Sequence, residues 1–489
     1  MKIGIISINM YSKNLNFACP LHTWAFQQFL AKNYIDSTVI DYKPVYYDDH
    51  FDLRHPYESY RDKYEKLLEK KAEKEREGLS AESVLAKLEA VRGQMENYQA
   101  LYREREIRYD KFQKFIRENY IKTETCYNAE LLEVEDPGFD CYICVTDVIW
   151  RVIKNKGFDR AFFLDSSVMK GKYKIAYSAS RGVFEGYTDK QQEEFLRMIE
   201  DIDEISVRED SLREWIEDYS EKDAVTVLDP VLLHDGEFWK SIAVEPEEKG
   251  YVLLYYVMEK AADTIRNAVQ YAKQHNLDIV ELSDRPFSQN IEGVRHIVRY
   301  DIGPEEWLGY IRHAECIFTN SFHACCFSIL FQKLFYVGNR NGDKVSCILK
   351  TFGLTGQRLK KEEDIEDMPA RIDYNKVMVI LKEKRKKSED FIFNAIHHAE
   401  EQTKTGKISE NGKAGKVGKK VCAGKTKKRK MYPIRYHSGI TGERLDWNCN
   451  EGIMEFLKSG AIEHYVKTEK LVNDGTARLK KNPFKIGNC

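Results

Sequence analysis

No uncharged apolar run in this chain approaches the ~18 residues that a transmembrane helix needs. The N-terminus, MKIGIISINMY, has one lysine and then only a strand-length apolar run. It lacks the long apolar stretch and small-residue cleavage site of a secretory signal. A soluble, cytoplasmic protein is the expectation. Net charge is nearly absent as well: 77 Lys and Arg stand against 79 Asp and Glu, for a formal charge of -2. No global field therefore draws the chain to nucleic acid or to an anionic membrane. Glycine (28) and proline (11) are too scarce for a low-complexity chain. Cys141 and Cys144 form a C-x-x-C with no second pair beside it, which is weak for zinc. Within a strand that spacing sends the two thiols to opposite faces. The 11 cysteines read as reduced, structural thiols. No G-x-G-x-x-G follows the first strand, which counts against an ordinary dinucleotide-binding start.

What is present is alternation. At 489 residues, two or three domains are expected, and 42% hydrophobic residues suffice for sizeable cores. KIGIISI (2–8), a helix over Cys19–Lys32 and STVIDY (37–42) form a β-α-β opening. From 57 to 120 the chain turns dense in Glu, Lys and Arg. Leu85, Leu88, Val91, Met95, Tyr98 and Leu101 recur at helical spacing, so a helical hairpin inserted in the first domain is expected. Strands resume at 139–145, 173–180, 203–208 and 224–229, and a second α/β block runs from 251 to 339. The boundaries read as a first Rossmann-like domain over 1–235 and a second over 236–400. A Lys/Gly-rich linker follows at 401–430, and a tail of unknown role at 431–489. The basic stretch 404–430 has no hydrophobic periodicity and reads first as a disordered linker. Its second reading is a contact for an acidic partner or a lipid surface.

Polar groups gather just after predicted strands: Asp147, Ser178 and Arg181, Arg208 and Glu209, and Asn320–His323. In parallel sheets those carboxyl ends share one edge, where ligands bind. The stretch CIFTNSFHACCFSILFQK (316–333) reads as a buried strand, a polar switch and an apolar helix. Ser321 and His323 then sit at a helix N-terminus, a ready anion site. Each has a plainer reading: Asp147 and Ser321 as caps, and Arg208 with Glu209 as a surface ion pair.

The same residues carry a family resemblance. N-F-A-C-P-L-H-T-W-A-F-Q (16–27), V-T-D-V-I-W (145–150), Y-S-A-S-R-G (177–182), I-S-V-R-E (205–209), V-L-D-P (227–230), G-P-E-E-W-L (303–308) and T-N-S-F-H-A (319–324) follow one another in order. So does the stretch 339–354. This series resembles the polysaccharide pyruvyl transferase family over residues 1–360. The resemblance implies a GT-B-like pair of Rossmann-type, parallel-sheet domains facing a cleft. It implies phosphoenolpyruvate as donor, a saccharide or lipid-linked glycan as acceptor, a cyclic pyruvate ketal as product, and no metal or cofactor. His323 is then the acid/base and Arg208 the anion clamp. Asp147 would orient an acceptor hydroxyl or act as base, and Arg340 and Lys344 would add positive charge. Asn16, Ser178 and Asn320 belong to the matched motifs. Ser321 stands where the family often carries arginine, a place that Arg181 or Arg340 would have to fill. Ala18 and Val148 replace the family's Gly and Gln. The alternatives are a nucleotide-sugar glycosyltransferase on the same architecture, or a non-catalytic binding protein. Oligomeric state is not legible in the sequence.

Overall fold

The structure is a computed structural model. It describes residues 1–8, 11, 15–47, 53–54, 56–182, 187–257, 262–283, 291–338, 343–359, 365, 368–405, 434–437 and 444–447. The first unit spans Met1–Ala414. Its opening elements are β1 (Ile3–Ser7), α1 (Ala18–Lys32), β2 (Ser37–Tyr42), α2 (Pro56–Arg76), α3 (Glu82–Ala100), α4 (Tyr102–Asn119), β3 (Lys122–Tyr127) and β4 (Cys141–Asp147). Next come β5 (Tyr173–Ala179), α5 (Asp189–Ile199), β6 (Glu204–Val207), α6 (Asp210–Tyr219), β7 (Val225–Thr226) and α7 (Gly236–Lys240). The second half holds β8 (Tyr251–Tyr255), α8 (Ala262–His275), β9 (Asp278–Leu282), β10 (His296–Arg299), α9 (Pro304–His313) and β11 (Cys316–Thr319). It continues with α10 (Phe322–Leu330), β12 (Leu334–Val337), α11 (Asp343–Thr351) and α12 (Tyr374–Thr405). In the second unit, Gly415–Cys489, β13 (Ile434–His437) pairs antiparallel with β14 (Arg444–Trp447). Arg340 and most of the stretch 401–489 lie outside the described residues.

Two parallel sheets form, in the order β3-β2-β1-β4-β5-β6-β7 and β10-β9-β8-β11-β12. Their central strands are near-continuous apolar runs because helices cover both faces. β1 (IGIIS) and β8 (YVLLY) are buried at every position. On β4, Cys141 packs into one core and Cys144 into the core on the opposite face, as three-residue spacing requires. Strand order reverses between β1 and β4 and again between β8 and β11. Those two reversals are where an open parallel sheet leaves a crevice at its carboxyl edge. This is the expected pair of Rossmann-type lobes in a GT-B-like architecture.

The lobes share apolar packing. Phe17, at the start of α1, stacks on Trp307 of α9 at 5.6 Å. Burying such a side chain is worth roughly 1.5–3 kcal/mol. α1 is buried nearly all round because Trp24 faces the shared core while Phe26, Phe29 and Leu30 face the first sheet.

Three elements depart from the sequence reading. β3 was not foreseen: KTETCY is polar and mostly exposed, yet as an edge strand it needs only backbone pairing with β2 and the Lys122–Asp41 ion pair at 2.5 Å. The insertion is three helices rather than a hairpin, and α4 reaches both lobes. Arg108 on α4 donates to Leu15 O (2.5 Å) in one lobe and Ser283 O (3.1 Å) in the other. Lys111 pairs with Glu306 at 2.6 Å. Finally, α12 leaves the second lobe and returns to the first. Val377 and Leu381 pack in the shared core, while Ile392, Ala395, Ile396 and Ala399 cover the first sheet. Among the described residues, no helix is long and apolar enough to cross a membrane.

Candidate active site

β4, β5 and β6 end in polar residues at the carboxyl edge of the first sheet. The chain is strained there. Thr146, Asp147 and Ser178 adopt left-handed backbone with φ of 48°, 58° and 51°. Such conformations cost on the order of 1–3 kcal/mol each and concentrate at functional sites. For a β-branched threonine the conformation is a genuine outlier. Local hydrogen bonds hold it in place. Thr146 Oγ1 lies 3.0 Å from Asp229 Oδ2 and 3.1 Å from Ser178 O.

Arg208, the first residue after β6, organises the cluster. Its Nε donates to Glu209 Oε1 (3.0 Å), Nη1 to Asp229 Oδ2 (3.1 Å) and Nη2 to Asp147 Oδ1 (3.0 Å). Its guanidinium lies 4.3 Å from the centre of the Phe322 ring. The side chains of Arg208, Glu209 and Asp229 are 3%, 4% and 0% exposed, so this is no surface ion pair. Burial opposes the charge on Arg208, but Glu209, Asp147 and Asp229 outweigh it and raise its pKa further. Each guanidinium nitrogen of the expected anion clamp thus already serves a carboxylate of the protein. Arg208 holds the site together.

The second lobe closes over this cluster. Ser321 caps α10, its hydroxyl accepting from Ala324 N at 3.4 Å. Asn320 accepts from Val257 N (2.8 Å) and donates to Val257 O (3.1 Å), joining the ends of β11 and β8. This fixes His323 in the first turn of α10, where its Nε2 lies 3.4 Å from Asp229 Oδ2. Lys344, at the start of α11, reaches Asp147 Oδ1 at 3.0 Å. Burial would raise the Asp147 carboxyl, yet Lys344 and then Arg208 hold it well below the usual carboxylate range. Burial of Asp229 is likewise outweighed, by the His323 ring and then Arg208, so it too stays ionised. Burial lowers the pKa of Lys344, with Asp147 opposing.

A second imidazole lies beneath the first. His22 of α1 stacks on His323, with ring centroids 5.6 Å apart and planes 26° apart. His22 Nδ1 meets Thr23 Oγ1 at 3.2 Å, and Thr23 in turn donates to Ser7 Oγ at 2.8 Å. The His22 Nε2 is buried with no hydrogen-bond partner. Burial lowers the His22 pKa to about 4, with Asp229 opposing, so the ring is neutral near pH 7.

The structure therefore brings together His323, Asp147, Arg208 and Lys344, with Ser178 tied in through Thr146. Asn320 and Ser321 shape the turn that carries His323, whereas Asn16 and Arg181 serve elsewhere. Asn16 Oδ1 accepts from Ala18 N at 3.1 Å and shapes the start of α1. Arg181 lies over the rings of Trp215 (4.6 Å) and Tyr187 (5.9 Å). Asp229 and His22 were missed as site residues. In sequence Asp229 is an Asp-Pro helix start, and it does cap that turn, accepting from Val231 N at 3.2 Å. Only its second oxygen serves the site. His22 sat within the N-F-A-C-P-L-H motif, where nothing local marks it. Among the described residues, no group of three His, Cys, Asp or Glu side chains is placed to hold a metal ion.

Chemically, an imidazole backed by an ionised, firmly held carboxylate can take and return a proton. Fold and site define a two-lobed, parallel-sheet α/β protein of GT-B-like architecture with an imidazole–carboxylate pair, His323 and Asp229, assembled across the lobes. The chain belongs to the polysaccharide pyruvyl transferase family, whose profile matches residues 21–337. No curated protein matches the chain. Among solved structures, UDP-N-acetylglucosamine 2-epimerase from Rickettsia bellii is similar at 10% identity and a TM-score of 0.43, covering 83% of this chain and 98% of that one. The UDP-GlcNAc 2-epimerase from Neisseria meningitidis aligns at 10% identity and a TM-score of 0.40, over 81% and 94%. An alpha-glucosyltransferase in complex with UDP-glucose and DNA aligns at 9% identity and a TM-score of 0.38, over 80% and 95%.

Proposed function

We propose that the chain transfers the pyruvyl group of phosphoenolpyruvate to two hydroxyls of a saccharide or lipid-linked glycan, forming a cyclic ketal. Family membership supports a transferase acting on a polysaccharide. The observation that carries the finer reading is the His323–Asp229 pair. It lies where the carboxyl edges of both sheets meet.

Protonating the donor's methylene carbon makes an oxocarbenium-like centre. One sugar hydroxyl adds to it, the carbon–phosphate oxygen bond breaks, and a second hydroxyl closes the ring. Of the two hydroxyl protons, one replaces the proton delivered to the methyl group and the other leaves with phosphate. His323 is the proton carrier, and Asp229 lies behind its Nε2 to balance the imidazolium. Arg208 and Thr146 position Asp229. Asp147 stays ionised between Lys344 and Arg208, which suits it to orient a hydroxyl rather than to hold a proton.

The test is acceptor-dependent phosphate release from phosphoenolpyruvate, with the ketal methyl group detected by NMR. His323→Ala should lower turnover by about 100-fold or more while leaving the fold intact. Turnover of a nucleotide sugar, with none of phosphoenolpyruvate, would assign the site to glycosyl transfer instead.

A further inference from the structure

The cations of the site described so far are engaged by its own carboxylates. Asp147, Glu209 and Asp229 contribute three negative charges, and Arg208 and Lys344 two positive ones. Both cations are already paired with carboxylates. Ser321, where the family often has arginine, is a neutral cap.

One cation at this edge is differently placed. Arg151 follows β4 by four residues, beside the reversal of strand order between β1 and β4. Its backbone N–H bonds to Val148 O at 3.3 Å, which turns the chain tightly after Asp147. The half-buried guanidinium lies over the ring of Tyr46, in the loop after β2, at 4.8 Å. Among the described residues, no carboxylate pairs with it and no acceptor takes its side-chain N–H groups. It therefore keeps the planar donor fork that binds phosphate or carboxylate in bidentate fashion. The electrostatics of Cys19, in the first turn of α1, agree with that placement. Arg151 and Lys344 both oppose the burial-driven rise of the Cys19 thiol, while Asp147 reinforces it. Arg151 and the carboxylate cluster thus flank the same first turn of α1.

We propose that Arg151 is the anion-binding residue of this chain, gripping the phosphate or carboxylate of the donor at the first sheet's crevice. It supplies an unengaged guanidinium where that of Arg208 and the ammonium of Lys344 are taken up by carboxylates. The ligand class is a small phosphorylated or carboxylated anion, and its identity as phosphoenolpyruvate rests on the proposed function above. Tyr46 holds the guanidinium flat and limits its freedom before the ligand arrives, which favours binding.

The test is titration of the full-length protein with inorganic phosphate and with phosphoenolpyruvate by calorimetry. Arg151→Met keeps the apolar stem over Tyr46 and removes the charge, while Arg151→Lys keeps the charge and removes the fork. We expect Arg151→Met to weaken both anions at least tenfold without lowering the ligand-free melting temperature, and Arg151→Lys to fall between. Wild-type affinity in Arg151→Met, or no binding of either anion by the wild type, overturns the assignment. Loss of phosphate binding in the variant upholds it even where the wild type forms no ketal, and in that case only the pyruvyl-transfer reading fails.

Discussion

Asp229→Asn is the sharpest perturbation of this site. The carboxylate is fully buried, and one oxygen, Oδ2, faces Arg208 Nη1 at 3.1 Å, Thr146 Oγ1 at 3.0 Å and His323 Nε2 at 3.4 Å. The other oxygen accepts from Val231 N at 3.2 Å. An amide has only one acceptor. Either its NH2 group faces the Arg208 and Thr146 donors, or it faces Val231 N–H. Breaking a buried ion pair from one side costs about 3–5 kcal/mol. Arg208 retains Asp147 and Glu209, so the lower end, about 3 kcal/mol, applies. With about 2.1 cal/mol/K of unfolding entropy per residue, a 414-residue unit melting together should lose about 3–4 °C. Catalysis should suffer more. The imidazolium loses its counter-charge, and removal of such an orienting carboxylate lowers turnover by about 10²–10⁴-fold. The assays are calorimetric melting and acceptor-dependent phosphate release. Asp210→Asn is the control, because that carboxylate is exposed, accepting from Thr226 Oγ1 at 2.7 Å and lying 3.9 Å from Arg213 Nε. A variant at 229 that melts and turns over like the Asp210 control would falsify the dyad and the buried network together.

Two further outcomes follow from packing and burial. Burial lowers both His22 and His234 to about 4. Unfolded rings titrate near ~6.5, so between those values the unfolded chain binds more protons and stability falls as pH drops, by about 3 kcal/mol per ring at the low end. His22→Gln and His234→Gln should each flatten the stability–pH curve over that window. Unchanged slopes would show that the rings are hydrated. Below about pH 4 the depressed carboxylates Asp147 and Asp229 should add their own acid lability. Gly309→Ala should cost at least about 3 kcal/mol, beyond the usual range for overpacking. Its Cβ would lie 1.6 Å from Val244 O, a backbone atom that no rotamer change can move. A melting temperature equal to the wild type would contradict the seating of α9 on that segment.

Much of this was legible one-dimensionally. KIGIISI, FDCYICV and YVLLYYV declare strands because a parallel strand covered on both faces must be apolar throughout. The switch at 319–323 declares a helix N-terminus because capping is local: Ser321 does cap α10. The ordered motifs declare the family for the same reason, since each is a contiguous string. β3 escaped because an edge strand's pairing leaves little trace in its composition.

Local pattern is enough to write the two parallel sheets, their strand-end polar groups and the position of His323, since each depends on neighbours a few residues apart. What those groups do was settled by contacts across the fold. Arg208 and Glu209 are adjacent and exposed-looking in the string, yet folding buries them with Asp147 and Asp229 from strand ends far apart in sequence. Which partner an arginine meets depends on distances across a fold, and a buried charge takes whatever counter-charge the fold brings within 3 Å. That paired Arg208 with three carboxylates, brought His22 beneath His323 and gave Asp229 a second task. It also left Arg151 without a carboxylate among the described residues. Residue type wrote the chemistry available, and the meeting of two sheet edges decided how it is combined.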